Sequence, residues 1–160
     1  MNIMSKTVFA IAAAMAMTGA SAVSAQTPTV SPVGAITVAG NLNQSLQGGQ
    51  LLTQCHVVFQ GTADATGFTL TSYTGTKLNN GPLACDDSIV FPIRIDAVSP
   101  TQLNVQSLII ETRLGDCSAT DIPVTWTNGS SSVTFPVGTM LAPVCEFNGT
   151  LTVSPATTIN

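Results

Sequence analysis

Charge is what this sequence has least of. Four basic and eight acidic side chains make up 8% of its 160 residues, against roughly a quarter in an ordinary soluble domain. The bases beyond the first segment, Lys77, Arg94 and Arg113, stand singly. A phosphate backbone needs a clustered cationic footprint, so nucleic acid is excluded as a partner. Aromatics are equally sparse, 5% with one tryptophan and one tyrosine, too few for the girdles of an outer-membrane barrel. The single histidine, His56, follows Cys55 on a strand pattern, so the two side chains point to opposite faces and make a poor nucleophilic pair. With no other imidazole and no Gly-x-Ser-x-Gly, serine hydrolysis has no machinery. No catalytic, cofactor-binding or metal-ligating residue is expected, and no cofactor.

What is present begins with an address. Met1 to Lys6 carries a positive charge, Val8 to Met17 is apolar, and Gly19 leads into the small-residue sites Ala20-Ser21-Ala22 and Val23-Ser24-Ala25. That order is a secretory signal over residues 1–25, with the cut after Ala25. The run ends short of the roughly 20 residues a membrane helix needs, so no transmembrane segment is expected in the mature chain. The first cysteine is Cys55, so a lipid anchor at the cut has no thiol. Three bases against eight acids then leave a mature net charge of −5, and the expected location is extracellular or cell-surface, reached through the periplasm.

Cys55, Cys85, Cys117 and Cys145 are an even number in an exported chain, which favours disulfides over metal, and none shows a two-residue zinc spacing. Three connectivities are open. The working expectation is Cys55 with Cys85 and Cys117 with Cys145, each closure stabilising by roughly 3 to 4 kcal/mol in the chain-entropy model.

Residues 26–32, Gln-Thr-Pro-Thr-Val-Ser-Pro, read as a flexible N-terminal arm, and residues 33–160 as one domain. Ile89, Phe91, Ile93 and Ile95 share one strand face, Arg94 and Asp96 the other. Cys145, Phe147, Gly149, Leu151 and Val153 alternate with Glu146, Asn148, Thr150, Thr152 and Ser154. Further strands are expected at Ile36 to Ala39, Thr53 to Gln60, Gly67 to Tyr73 and Gln102 to Thr112, the last changing phase near Ser107. Asn128-Gly129 suits a two-residue type I′ turn, which would pair Val124 with Val133 and Ile122 with Phe135 and set Trp126 opposite Ser131. Pro123 and Pro136 on the other face of that hairpin signal edge strands or bulges. Cys55-His-Val-Val-Phe59-Gln-Gly61-Thr62 resembles Cys145-Glu-Phe147-Asn-Gly149-Thr150. About eight short strands and no helical periodicity predict an all-β fold, an antiparallel β-sandwich, loosely immunoglobulin-like, with two disulfides.

Asp86 and Asp87 after Cys85, and Asp116 before Cys117, would offer carboxylates only if the two loops converge; solvated turns are the simpler reading. Asn43, Asn128 and Asn148 begin glycosylation-type triplets and receive no function. Tyr73 and Trp126 would suit sugar stacking, but Trp126 shares its face with Val124 and Ile122 and belongs to the core. Neutral, hydroxyl-bearing strand faces suit assembly, adhesion or an oil–water interface better than catalysis.

Cys55-x-Val57-x-Phe59-x-Gly61-Thr62, Gly115-Asp116-Cys117, Val124-Thr125-Trp126-Thr127-Asn128 and the closing Cys145 to Pro155 resemble the small secreted alkane-oxidation activator proteins of bacteria, the PraB-like group. The resemblance spans about Gly49 to Ile159. The segment from Leu78 to Asp87 is more polar than that pattern. What the resemblance implies is an exported, non-enzymatic protein that assists growth on long-chain alkanes, with emulsification and a cell-surface or biofilm setting as the implied roles. Hydrocarbon and cell-surface or matrix components are the expected partners, with self-association compatible. The alternative is a structural subunit of a pilus, fibre or biofilm matrix, built by strand addition.

Overall fold

Alternation with one apolar face makes strands, and pairing then decides how they are arranged. A computed structural model describes residues 26–46, 50–85, 88–112, 115–143 and 145–160; the signal reading lies outside them. The strands are β1 (Val30–Ser31), β2 (Gly34–Leu46), β3 (Gln50–Asp64), β4 (Gly67–Lys77), β5 (Ser88–Ile89), β6 (Ile93–Ser99), β7 (Gln102–Thr112), β8 (Gly115–Thr127), β9 (Ser132–Leu141), β10 (Cys145–Ser154) and β11 (Thr158–Ile159).

Eight of them close into an antiparallel barrel, in the ring β2-β3-β4-β6-β7-β8-β9-β10. Each strand pairs with its sequence neighbour, and β10 returns to β2 from Cys145↔Leu46 to Ser154↔Thr37. This corrects the sandwich. Both architectures need one buried face per strand, so alternation does not separate them; the difference is whether the first and last strands find each other. The barrel interior is apolar, with Val38, Leu42, Val57, Phe68, Leu103 and Leu151 all buried. Thr71, Gln60, Asn41, Thr125, Thr150 and Thr152 stand exposed on the outside. This polarity is the reverse of a lipid-facing barrel, whose outer band is apolar.

Several strands run as expected. β7 and β10 have the anticipated bounds, and β7 does change phase: Leu103 and Val105 are buried, then Leu108 and Ile110. β8 changes phase at the same level, from Cys117 to Ile122, Val124 and Trp126, with Asp121 at φ 54°. Their register therefore continues from Val105↔Ile122 to Leu108↔Ala119 without a slip. The strand read through Ile89 to Asp96 is interrupted, because Pro92 cannot donate to a ladder; β5 and β6 both pair with β7 on either side of the break.

The hairpin after Trp126 departs from the expected turn. Asn128–Ser130 forms one 3-10 turn and Ser131 takes a left-handed φ of 47°, so the loop has four residues and the register places Trp126 opposite Val133. The slip is two residues, so every side chain keeps its face. The reason is chemical: the Asn128 side chain acts as a strand edge. Its Oδ1 accepts from Trp126 Nε1 and from Ile159 N, both at 2.7 Å, and its Nδ2 donates to Ile159 O at 2.8 Å. Ser131 Oγ similarly donates to Thr157 O and accepts from Thr157 N, each at 2.9 Å.

These bonds hold β11 across one end of the barrel, where Val30↔Ile159 pairs β1 with it. The arm expected to be flexible thus contains a docked strand, with Val30 buried and its N–H donated to Ala65 O at 3.0 Å. The opposite end carries both disulfides, Cys55–Cys85 and Cys117–Cys145, with Cα separations of 5.6 and 6.0 Å. That is the expected pairing.

The two similar Cys-Phe-Gly stretches lie on β3 and β10, the strands flanking β2. Gly61 and Gly149 each sit at a register shift where a neighbouring backbone closes in. A Cβ there would meet Thr69 O at 2.2 Å or Asn41 O at 2.4 Å, which only glycine avoids.

Candidate functional site: the outer wall and the β8–β9 seam

The barrel interior is filled. Val38, Phe59, Val105, Phe135, Phe147 and Leu151 are among the side chains around a wholly apolar void with room for the centre of a water-sized sphere over about 30 Å³. Ligand pockets run to roughly 300–1,000 Å³. Phe135 and Phe147 meet edge to face at 5.1 Å, occupying the space a guest would need.

The described residues singled out by sequence do not gather into one site. His56 faces out and its Nδ1 meets Asn41 Oδ1 across the β2–β3 pair at 2.9 Å. Asn43 Nδ2 donates to Asn148 Oδ1 at 3.1 Å, a cross-strand pair on the wall. Trp126 is a core residue stacked on Phe68 at 5.7 Å, far from a stacking platform. Tyr73 is half-buried, its hydroxyl bonded to Cys85 O. Asp116 is exposed at the start of β8, and Asp86 and Asp87 lie outside the described residues. Among the described residues no three metal-ligating side chains group together.

Among the described residues, charge on the wall gathers around Arg94. Arg94 Nη1 meets Asp64 Oδ2 at 2.5 Å and its Nε meets Asp96 Oδ1 at 2.7 Å, the same-face placement that alternation predicted for Arg94 and Asp96. Thr66 adds its N–H and hydroxyl to Asp64 Oδ1 at 2.8 and 2.7 Å. The guanidinium and the Thr66 donors hold the Asp64 carboxyl well below the usual carboxylate range, while Asp64 raises Arg94. A depressed folded pKa means that the unfolded chain takes up the proton first. This contribution to stability is therefore fully present above about pH 4 to 5 and is lost as pH falls further. Asp64 is 55% exposed in its side chain, so the effect is small. Thermal melts between pH 6 and pH 2 should show Asp64→Asn with a shallower acid-side loss than the parent protein.

The wall is thin between β8 and β9. β8 and β9 pair only at Thr125–Thr127 with Ser132–Thr134, and then once more at Ser118 and Ala142, whose N–H and C=O groups exchange bonds of 2.9 Å. Between these ties Ala119–Pro123 and Pro136–Met140 flank an open recess of about 310 Å³. Its cause is legible in the residues. Pro123 and Pro136 have no N–H to give a ladder, and Asp121 and Gly138 hold left-handed φ angles of 54° and 84°. Pro136, Val137 and Gly138 bulge opposite Asn148 alone, where the β9–β10 register shifts.

The break is self-capped. Gly138 N donates to Glu146 Oε1 at 3.1 Å, Pro136 O accepts from Thr139 Oγ1 at 2.8 Å, and Asp121 Oδ1 accepts from Asn104 Nδ2 at 3.2 Å. Apolar side chains fill its rim: Val137 is 84% exposed and Met140 43%, with Pro123, Pro136, Ala142 and Pro143 exposed beside them. Proline in the hairpin pointed to this bulge; the loss of ladder on both strands at one level appears only when β8 and β9 are set side by side.

A family model described as alkane oxidation protein activator PraA/PraB-like matches residues 1–160. No curated protein and no solved structure matches the chain.

Proposed function

Because the chain belongs to the alkane oxidation protein activator PraA/PraB-like family, we propose that it assists alkane oxidation without catalysing it, acting from its outer surface where hydrocarbon meets water. The observation that carries this reading is the filled barrel: a void of about 30 Å³ has no room for an alkane chain, so contact with hydrocarbon falls to the wall. That wall is rich in threonine and amide side chains and poor in charge, hence weakly hydrated, and it bears exposed Val137, Met140 and Val98. The two disulfides suit an oxidising compartment outside the cytoplasm, and support a secreted or cell-surface setting in which an emulsifying protein would meet its substrate phase.

The test is hexadecane–water interfacial tension against concentration of the disulfide-bonded protein, beside a folded acidic protein of similar size. The expected result is a fall in tension well beyond the control, largely lost on reduction. Tension equal to the control's would end this reading. The fibre-subunit reading draws no support from the ring closure, which pairs β2 with β10 instead of leaving the terminal strand edges open.

A further inference from the structure

The proposed function leaves open which part of the wall meets the oil, and the geometry points to the β8–β9 seam. We infer that the rim of this recess, Pro123, Pro136, Val137 and Met140, is the face that adsorbs to liquid hydrocarbon. This rests on the reading above and names the site for it.

Three occupants compete for such a surface, and local chemistry separates them. A strand from a second copy would need free ladder groups on β8 or β9. Here the prolines remove two donors, and Glu146 and Thr139 already occupy Gly138 N and Pro136 O. An anionic membrane surface would need lysine or arginine nearby. Among the described residues, the charged side chains beside the seam are Asp121 and Glu146, both acidic, and none of those flanking the recess is basic. Liquid hydrocarbon needs neither backbone partners nor cations. It rewards apolar area taken out of water, and Val137 is the most exposed of the large hydrophobic side chains, at 84%. The self-capping also removes the cost that bare peptide groups would incur against oil. Both acids already have partners at the seam, Asp121 in Asn104 and Glu146 in Gly138.

The sequence contains its own reporter. Met140 is the one methionine beyond residue 17, and it lies on the rim. Exposed methionine is oxidised to the sulfoxide by hydrogen peroxide, which supplies the oxygen atom and leaves as water. On hexadecane droplets, Met140 of the unaltered protein should oxidise several-fold more slowly than in free solution; an equal rate would overturn the assignment.

A second measurement uses Val137→Asp, against Val98→Asp as a control near the end of β6. Val98 is also exposed, at 51%, and each variant adds one negative charge. The seam variant should adsorb to droplets roughly tenfold more weakly, the scale expected from losing one buried aliphatic side chain, and Val98→Asp should adsorb like the parent. Equal loss in both, or in neither, would overturn the seam while leaving interfacial activity standing. A concentration-dependent dimer abolished by the seam variant would make the face a self-interface and overturn the inference. A parent protein that does not lower interfacial tension at all would sink both readings.

Discussion

Replacing Cys117 and Cys145 together by alanine lowers unfolding free energy by roughly 3 to 4 kcal/mol, the chain-entropy value for a closed loop of this length. The sequence separation is 28 residues, and the bridge joins β8 to β10 across β9. The position makes it the more consequential of the two bridges. It lies beside the Ser118–Ala142 tie at the foot of the seam, a stretch of wall with few ladder bonds, so removing it leaves that side of the barrel held by very few bonds. Cys55–Cys85 instead secures a loop with independent anchors: Asn79 Oδ1 accepts from Gln54 N at 3.0 Å and Thr53 Oγ1 accepts from Leu83 N at 3.0 Å. Denaturant titrations of the two double variants should therefore show the larger midpoint shift for Cys117/Cys145. A loss of under about 1 kcal/mol there, far below the chain-entropy value, would mean that the seam strands need no clamp.

The second large effect belongs to Trp126. It is 1% exposed, stacks on Phe68, and gives its indole N–H to Asn128, which in turn holds β11 over the barrel end. Trp126→Ala should cost about 3 to 5 kcal/mol, a transfer term plus a cavity. Asn128→Ala deletes no comparable volume, yet it leaves the Trp126 Nε1 and Ile159 N–H donors without their acceptor, at about 1 to 3 kcal/mol for a buried unsatisfied group. The two residues share one network, so the double variant should lose less than the sum of the singles. Additivity in that cycle, read from denaturant midpoints, would show that the lid and the core are not coupled through this amide.

How much of this was legible depends on the range of the interaction involved. Alternation placed β10 and β7 with their bounds, and the phase change near Ser107 was visible because two apolar runs of period two met out of step. Pro123 and Pro136 announced irregularity because proline has no N–H to donate. The Asn128 turn was found but its type was misjudged: the backbone preference of Asn-Gly is local, whereas the pull of Ile159 on the Asn128 side chain comes from 31 residues away. Of the seam's rim, only Pro123 and Pro136 stood out in the sequence, as signs of edge strands or bulges. Nothing in β8 or β9 alone states that both lose their ladder at the same height.

By itself the sequence determined the all-β class, the inward and outward faces of most strands, and the family resemblance that the family match bears out. These follow from side-chain periodicity and composition, which are properties of each segment. Only the tertiary structure decided that the sheet closes on itself, that β1 meets β11, and that the interior is too full for a guest. The β8–β9 seam joins that group. Closure depends on β10 meeting β2, and the seam on two bulges coinciding across a gap. Both depend on accumulated twist, stagger and register around eight strands, which no single strand encodes.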